Sequence, residues 1–195
     1  ESLNVTTISK ITRALHHAHY VFRKKISHTA DSQDQRHRMT PASRPLLAAA
    51  IPADPDFETP AIIRLDARAD SLYRESMERT WGAIRGLLAF GVSPELAAYL
   101  LPNAVSIRFS ESADYLYLRH KHTMRLCYNA QEEIWRASLD EAADVESVNP
   151  NLGKHLLPPC TQRLAAGRKP FCPEGDRYCG VPVWRLPRSK YERVI

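Results

Sequence analysis

Residues 20–38 read YVFRKKISHTADSQDQRHR, and the parsing of this stretch decides the fold. Its first part, Tyr20-Val21-Phe22-Arg23-Lys24-Lys25-Ile26, opens on aromatic and β-branched residues, as a strand does. Ser27 is a good helix cap, so the spacing predicts a helix running through to Arg38 and ended by Pro41. Arg36-His37-Arg38 would then close a helix C-terminus, where the macrodipole favours cations. Two guanidiniums flanking an imidazole also form an anion receptor, because Arg stays charged and its fork of donors matches phosphate. The alternative is a solvated charge cluster, the usual fate of such runs.

Upstream, Ile8, Ile11 and Leu15 keep a helical period, and His16, His17 and His19 end that segment as exposed polar tips. Downstream, Pro41, Pro45, Pro52, Pro55 and Pro60 mark residues 41–60 as a loop, since each proline removes a donor. Ala61 to Leu65 reads as a short strand. Asp66 to Phe90 reads as a long amphipathic helix with Leu72, Met77, Trp81, Ile84, Leu87 and Leu88 as its stripe. Gly91 stops it, and Ser93-Pro94-Glu95 starts another helix whose buried side is Leu96, Leu100 and Leu101.

Val105, Ile107 and Phe109 alternate with polar residues as a short extended piece. From Glu111 to Val145 the pattern is helical, with Leu116, Leu118, Met124, Leu126, Ile134 and Leu139 as apolar members. Its polar face carries Arg119, His120, Lys121, His122 and Arg125. That face is either solvated or a second wall of an anion site.

The 195-residue chain is long enough for a real core, and its 44% hydrophobic content is that of a globular protein. No apolar run is long enough to cross a bilayer and no signal-peptide pattern appears, so a soluble cytoplasmic protein without a membrane is expected. Residue 1 is Glu, which points to a processed product or a piece of something longer. The net charge of +5 and pI near 9.1 favour an anionic partner such as a nucleotide or flavin phosphate. Basic and aromatic residues are not interleaved as in single-strand binders, so no nucleic acid is expected.

The four cysteines, in a chain with no export signal, imply a reducing compartment. Cys160, Cys172 and Cys179, with His155 nearby, are candidates for a structural zinc site. Their spacing departs from that of common zinc fingers, which favours free or packing thiols. Cys127 is expected simply to be buried in a helix. No Ser/His/Asp triad or phosphate-cradling Gly-rich loop stands out.

In order and spacing the chain resembles the flavin-dependent thymidylate synthases. The first match runs from His17 through Phe22 and Gln33 to Arg36-His37-Arg38. The second is Gly91-Val92, Glu95, Ala97, Leu101-Pro102 and Arg108-Phe109, and the third is Leu118, Arg125, Ala130-Gln131 and Glu133-Ile134. The resemblance covers most of residues 11–145 and implies an α+β fold, a small curved β-sheet packed by long α-helices. It places Arg36, His37 and Arg38 beside FAD, His17 in the flavin region, and Gln33 and Arg125 at the nucleotide. His120 stands where the family has a flavin-side Asn. The activity implied is reductive methylation of dUMP to dTMP, with NADPH reducing FAD and methylenetetrahydrofolate supplying the carbon. The protein's part is to place the cofactor and hold the nucleotide, and no single catalytic side chain is marked.

The chain also departs from the family pattern. Positions that cradle nucleotide phosphate read Pro41, Ser43, Arg44, Leu46 and Ala48, and a further nucleotide-binding Arg falls at Ala98. A flavin-side Asn-x-Arg reads Asp114-Tyr115-Leu116. Two lost Arg contacts cost about 1.5–3 kcal/mol each. Two readings follow. In one, this is a flavin enzyme of altered specificity in which Arg44 or the Arg119–His122 face holds phosphate. In the other, it is a catalytically degenerate copy that pairs with an intact one and stabilises it or lends its triplet to a shared site. Family members are tetramers with sites built across subunits, so a homo-oligomer or such a pairing is expected. Residues 1–149 are assigned to the family-like domain, and residues 150–195 to a Pro- and Cys-containing extension.

Overall fold

The computed structural model describes residues 10–193. In chain order the elements are β1 (His19–Ser27), α1 (His28–Asp34), β2 (Ala42–Ser43), α2 (Ala61–Arg64), α3 (Ala67–Ala89) and α4 (Pro94–Ala97). Then come β3 (Ser106–Asp114), α5 (Tyr115–Arg125), α6 (Glu132–Val148), α7 (Pro150–Gly153) and α8 (Pro159–Ala165). The fold is α+β, with one small antiparallel three-stranded sheet in the order β1-β3-β2.

Two compact units divide the chain. The first holds residues 10–22, 35–41 and 111–193 and the second holds 23–34 and 42–110. The first unit has two apolar centres. Phe22, Ala113, Tyr115, Leu118, Leu126, Ala142, Val145 and Leu156 form one. The other joins Tyr128 and Trp135 to Cys160, Val183 and Tyr191, so residues beyond 150 share a core with α6. α6 and α7 meet so closely that a Cβ on Gly153 would lie 2.3 Å from the Glu146 Cα. Arg188 ties the same corner, donating to the Gly153 carbonyl at 2.7 Å and pairing with Glu146.

In the second unit, Met77, Trp81 and Val105 form the apolar centre, with Phe57 and Tyr73 against it. Asp66 caps α3 by accepting from the Ala69 N–H at 2.8 Å. Gly91, at φ +89°, ends it by letting the Val92 N–H reach back to the Leu87 carbonyl at 3.0 Å.

The strand, the capping Ser27 and the long helix lie where the sequence predicts, and the Ser27 hydroxyl accepts the Ala30 N–H at 3.0 Å. Other expectations are corrected. α1 stops at Asp34, so Arg36-His37-Arg38 lies in the following turn and not on a helix. Thr40 fixes that turn by donating its N–H and hydroxyl to the His37 carbonyl, at 3.0 and 2.7 Å.

Ala61–Arg64 is a helical turn and not a strand. Residues 111–114 extend β3, and the helical stretch to Val145 is two helices broken at 126–131. Leu72, Leu96, Leu100 and Met124 are exposed, and Ala97 is the buried residue of α4. The helical period beginning at Ile8 falls partly outside the described residues.

Candidate functional site

The basic residues of the first unit fall into two groups. Lys121 and His122 on α5 are fully buried rather than solvated. Lys121 pairs with buried Glu111, and its Nζ lies 3.2 Å from Glu141 Oε2. His122 donates from Nδ1 to the Leu118 carbonyl at 2.8 Å and turns Nε2 toward Glu141 at 3.5 Å. Burying a Lys is costly unless carboxylates surround it, so these two residues anchor α5 and offer nothing to a ligand.

The second group faces outward. Arg36, Arg38 and His120 are exposed, while His37, Arg119 and Arg125 are half-buried. The His37 and His120 rings meet edge-on, with centroids 6.0 Å apart and planes at 70°. The fold thus brings the triplet to α5, although His37 and His120 stand 83 positions apart in sequence. Among the described residues, Arg36 and Arg38 make no ion pair or hydrogen bond. Arg119 turns a buried Nε with no hydrogen-bond partner among the described residues. Arg125 lies five positions beyond His120, about 140° around the helix axis. The two therefore do not share one helix face.

His17 ends the turn Thr12–His17 and is exposed. Its neighbour His16 holds Asp114 at 2.8 Å through Nδ1. Asp114 also caps α5 by accepting the Tyr117 N–H at 3.0 Å. The position expected to face flavin as Asn is therefore occupied in starting a helix. This role was open to sequence reading, since Asp precedes Tyr115-Leu116 as a cap should, but the expected long helix hid it.

Gln33 belongs to the second unit, where it is half-buried on α1. In the same unit, Arg44 grips buried Asp31 with Nε at 2.7 and 2.9 Å from the two carboxylate oxygens and lies over the Phe109 ring at 4.7 Å. Buried Lys24 pairs with buried Asp34. Arg44 is thus neutralised from within, which argues against its taking over phosphate. The pair Arg44–Asp31 was missed because its members stand thirteen positions apart across helix and turn.

Asp56 is held by Lys25 at 2.9 Å and by Arg108. Burial pushes its carboxyl up, but the hydrogen bonds from Lys25 and Arg108 outweigh this and leave it below the usual carboxylate range. Arg108, one of the residues that carry the resemblance, is therefore a structural partner here.

The donor set suits a flavin dinucleotide. Two unneutralised guanidiniums are matched to a pyrophosphate, and the paired imidazoles of His37 and His120 offer ring faces and nitrogens to a flat group. Gly91 and Ala97 fix turn and packing and contribute no ligand atoms.

The family model described as thymidylate synthase complementing protein matches residues 3–151. The chain is 28% identical over 147 residues to a flavin-dependent thymidylate synthase of Sulfurisphaera tokodaii, covering 75% of this chain and 57% of the relative. It is 29% identical over 147 residues to that of Saccharolobus solfataricus, covering 75% and 56%. It is 27% identical over 180 residues to that of Geobacter sulfurreducens, covering 90% and 75%. The chain thus spans little more than half the length of the two archaeal relatives.

Proposed function

The chain belongs to the flavin-dependent thymidylate synthase family, the thymidylate synthase complementing proteins, and on that premise we propose that it binds FAD at the Arg36-His37-Arg38 turn and serves reductive methylation of a uridine nucleotide, dUMP to dTMP. The observation that carries this reading is the exposed, internally unneutralised pair Arg36 and Arg38 beside the His37–His120 contact. When bound, FAD reduced by NADPH would supply the hydride, with methylenetetrahydrofolate as the source of the carbon.

Arg36 and Arg38 hold the cofactor's pyrophosphate by charge-assisted hydrogen bonds. Its flat end would lie against the contacting rings of His37 and His120. Arg125 holds the nucleotide, and a cation at the pyrimidine steadies the negative charge that develops as the ring is activated. Buried Lys121 and His122 keep α5 in place, so that His120 and Arg125 are presented without searching. His17 lies at the edge of the flavin region.

The surface of the second unit supports assembly into a homo-oligomer, since large apolar side chains on α3 and α4 are exposed. No helix among the described residues is long and apolar enough to cross a membrane. A cytoplasmic enzyme of nucleotide biosynthesis fits this reading.

A titration of the chain with FAD, read by quenching of flavin fluorescence, tests the proposal. The expected result is saturable binding, followed by a further spectral change on adding dUMP. Flavin that stays fully fluorescent with excess chain overturns it. In that case a catalytically degenerate copy supporting an intact partner is the remaining family role.

A further inference from the structure

Outside the flavin site, the densest cluster of reactive groups is sulfur. Cys127 lies in the turn after α5, Cys160 in the first turn of α8, and Cys172 and Cys179 in the segment that follows α8. They are separated by 32, 11 and 6 intervening residues. The fold nevertheless brings all four to the wall of one cleft, together with Tyr128, Pro159 and Trp184. His155 is not among the residues lining that cleft. All four cysteines are free thiols, Cys160 buried and the others half-buried.

Three of the sulfurs also share one apolar centre: Cys160 is buried in it with Tyr128, Trp135, Val183 and Tyr191, and Cys172 and Cys179 pack against it. Arg193 lies over the Tyr128 and Trp135 rings at 5.9 and 5.4 Å.

The segment around these thiols has little regular structure of its own. Beyond α8 the described chain has only three short 3-10 turns and no strand. Gly175 at φ +56° and Gly180 at φ +82° bend it next to Cys172-Pro173-Glu174 and next to Cys179. A segment with so little regular structure is commonly held by a metal or by cross-links.

We propose that Cys127, Cys160, Cys172 and Cys179 form a structural zinc site that fastens the segment after α8 to the end of α5. Four thiolates from separate elements are a soft, tetrahedral donor set, which selects zinc over hard cations. Among the described residues no three candidate ligands already stand in a metal-holding arrangement. Loading therefore draws the sulfurs inward to Zn–S distances of about 2.3 Å. Cys172 and Cys179 make this movement, since they sit on turns next to glycine and are partly exposed. Cys179 gives up the weak S–H contact it makes to the Val181 carbonyl at 3.6 Å. In the binding step, one Zn²⁺ forms four Zn–S bonds, and each thiol releases its proton to solvent. Three of the four ligands lie beyond residue 151, where the family match ends, and the site stands whether or not the chain binds flavin.

The full chain, purified under reducing conditions without chelator, is assayed for metal by mass spectrometry. The expected result is about one zinc per chain. Refilling the stripped chain with cobalt is expected to give the intense visible and near-ultraviolet bands of tetrahedral cobalt thiolate, and adding zinc is expected to protect the thiols from a thiol reagent. Cys172→Ser combined with Cys179→Ser is expected to abolish both signals. If that variant does not fold, the cobalt spectrum of the unaltered chain decides alone. Absence of stoichiometric zinc together with absence of the cobalt–thiolate bands overturns the proposal. Disulfides in the chain as isolated, seen as a mass deficit that reductant removes, also overturn it.

Discussion

At the scale of single residues, a side chain's partner decides whether its charge is available. Arg44 and Arg36 carry the same group, but Asp31 already holds one of them, while the other projects unneutralised into solvent. Arg36→Ala and Arg38→Ala are each expected to weaken FAD binding by about tenfold to a hundredfold, the equivalent of one charged hydrogen bond of about 1.5–3 kcal/mol. Because neither residue supports the fold, the melting temperature is expected to stay unchanged. Fluorescence titration beside a thermal melt checks both points, and equal affinity in the variants argues against the site. Tyr115 behaves oppositely, because everything about it is internal. Its hydroxyl donates to the Leu152 carbonyl at 2.7 Å, and burial pushes its pKa up to about 12. A phenol that keeps its proton longer in the folded than in the unfolded chain stabilises fully below pH ~10. That contribution is lost as pH rises toward the folded value. Burial also raises Tyr128 and Tyr191, so ultraviolet titration is expected to show several late-ionising tyrosines, and Tyr115→Phe is expected to remove one of them and part of the alkaline loss of stability.

At the scale of elements, the sequence revealed what periodicity reveals and little of what pairing conceals. β1 and α3 were legible because apolar positions recur at their periods and because Ser27, Asp66 and Gly91 mark ends. Residues 111–114 read as helix because a buried Glu111 looks like a polar position, and only its partner Lys121, ten residues on, reveals the strand. Lys121 and His122 were misread for the same reason, since no local pattern distinguishes a buried, paired Lys from a solvated one. Ile62 and Ile63 suggested β-structure, yet a single helical turn forms there, with Pro60 at its entrance and Ile62 exposed. The triplet itself was legible, but its meeting with His120 was a matter of long-range contact. Two variants probe these elements. Lys121→Met leaves Glu111 and Glu141 buried without their cation and is expected to cost about 3–5 kcal/mol. Adding Glu111→Gln and Glu141→Gln is expected to recover much of this loss in denaturant titrations. Gly153→Ala forces a methyl into the backbone of Glu146. It is expected to cost about 1–3 kcal/mol or more by overpacking, read as a lower melting temperature, and a neutral outcome would show that α6 and α7 do not hold this approach in solution.

For the molecule as a whole, the unexplained surface lies on the second unit. Large apolar residues exposed one at a time are ordinary. Here Phe90 and Tyr99 are each 87% exposed, and Leu96 and Leu100 between and beside them are exposed too. A run of apolar side chains so close together, rising from the end of α3 through α4, is the kind of patch that self-association covers. Packing within the unit does not account for it, because α4 buries Ala97 and turns its larger residues outward. If a second copy covers this patch, the chain sediments as an oligomer at micromolar concentration, and Phe90→Ser with Tyr99→Ser shifts it to single-chain mass. The flavin-site residues belong to the other unit, so FAD bound by one chain alone should survive this change. A site completed across chains should instead lose FAD together with the oligomer. Sedimentation and flavin titration on the same double variant therefore separate an assembly that merely stabilises the fold from one that builds the site. A wild-type chain that runs as a monomer at every concentration tested removes self-association as the explanation of this surface.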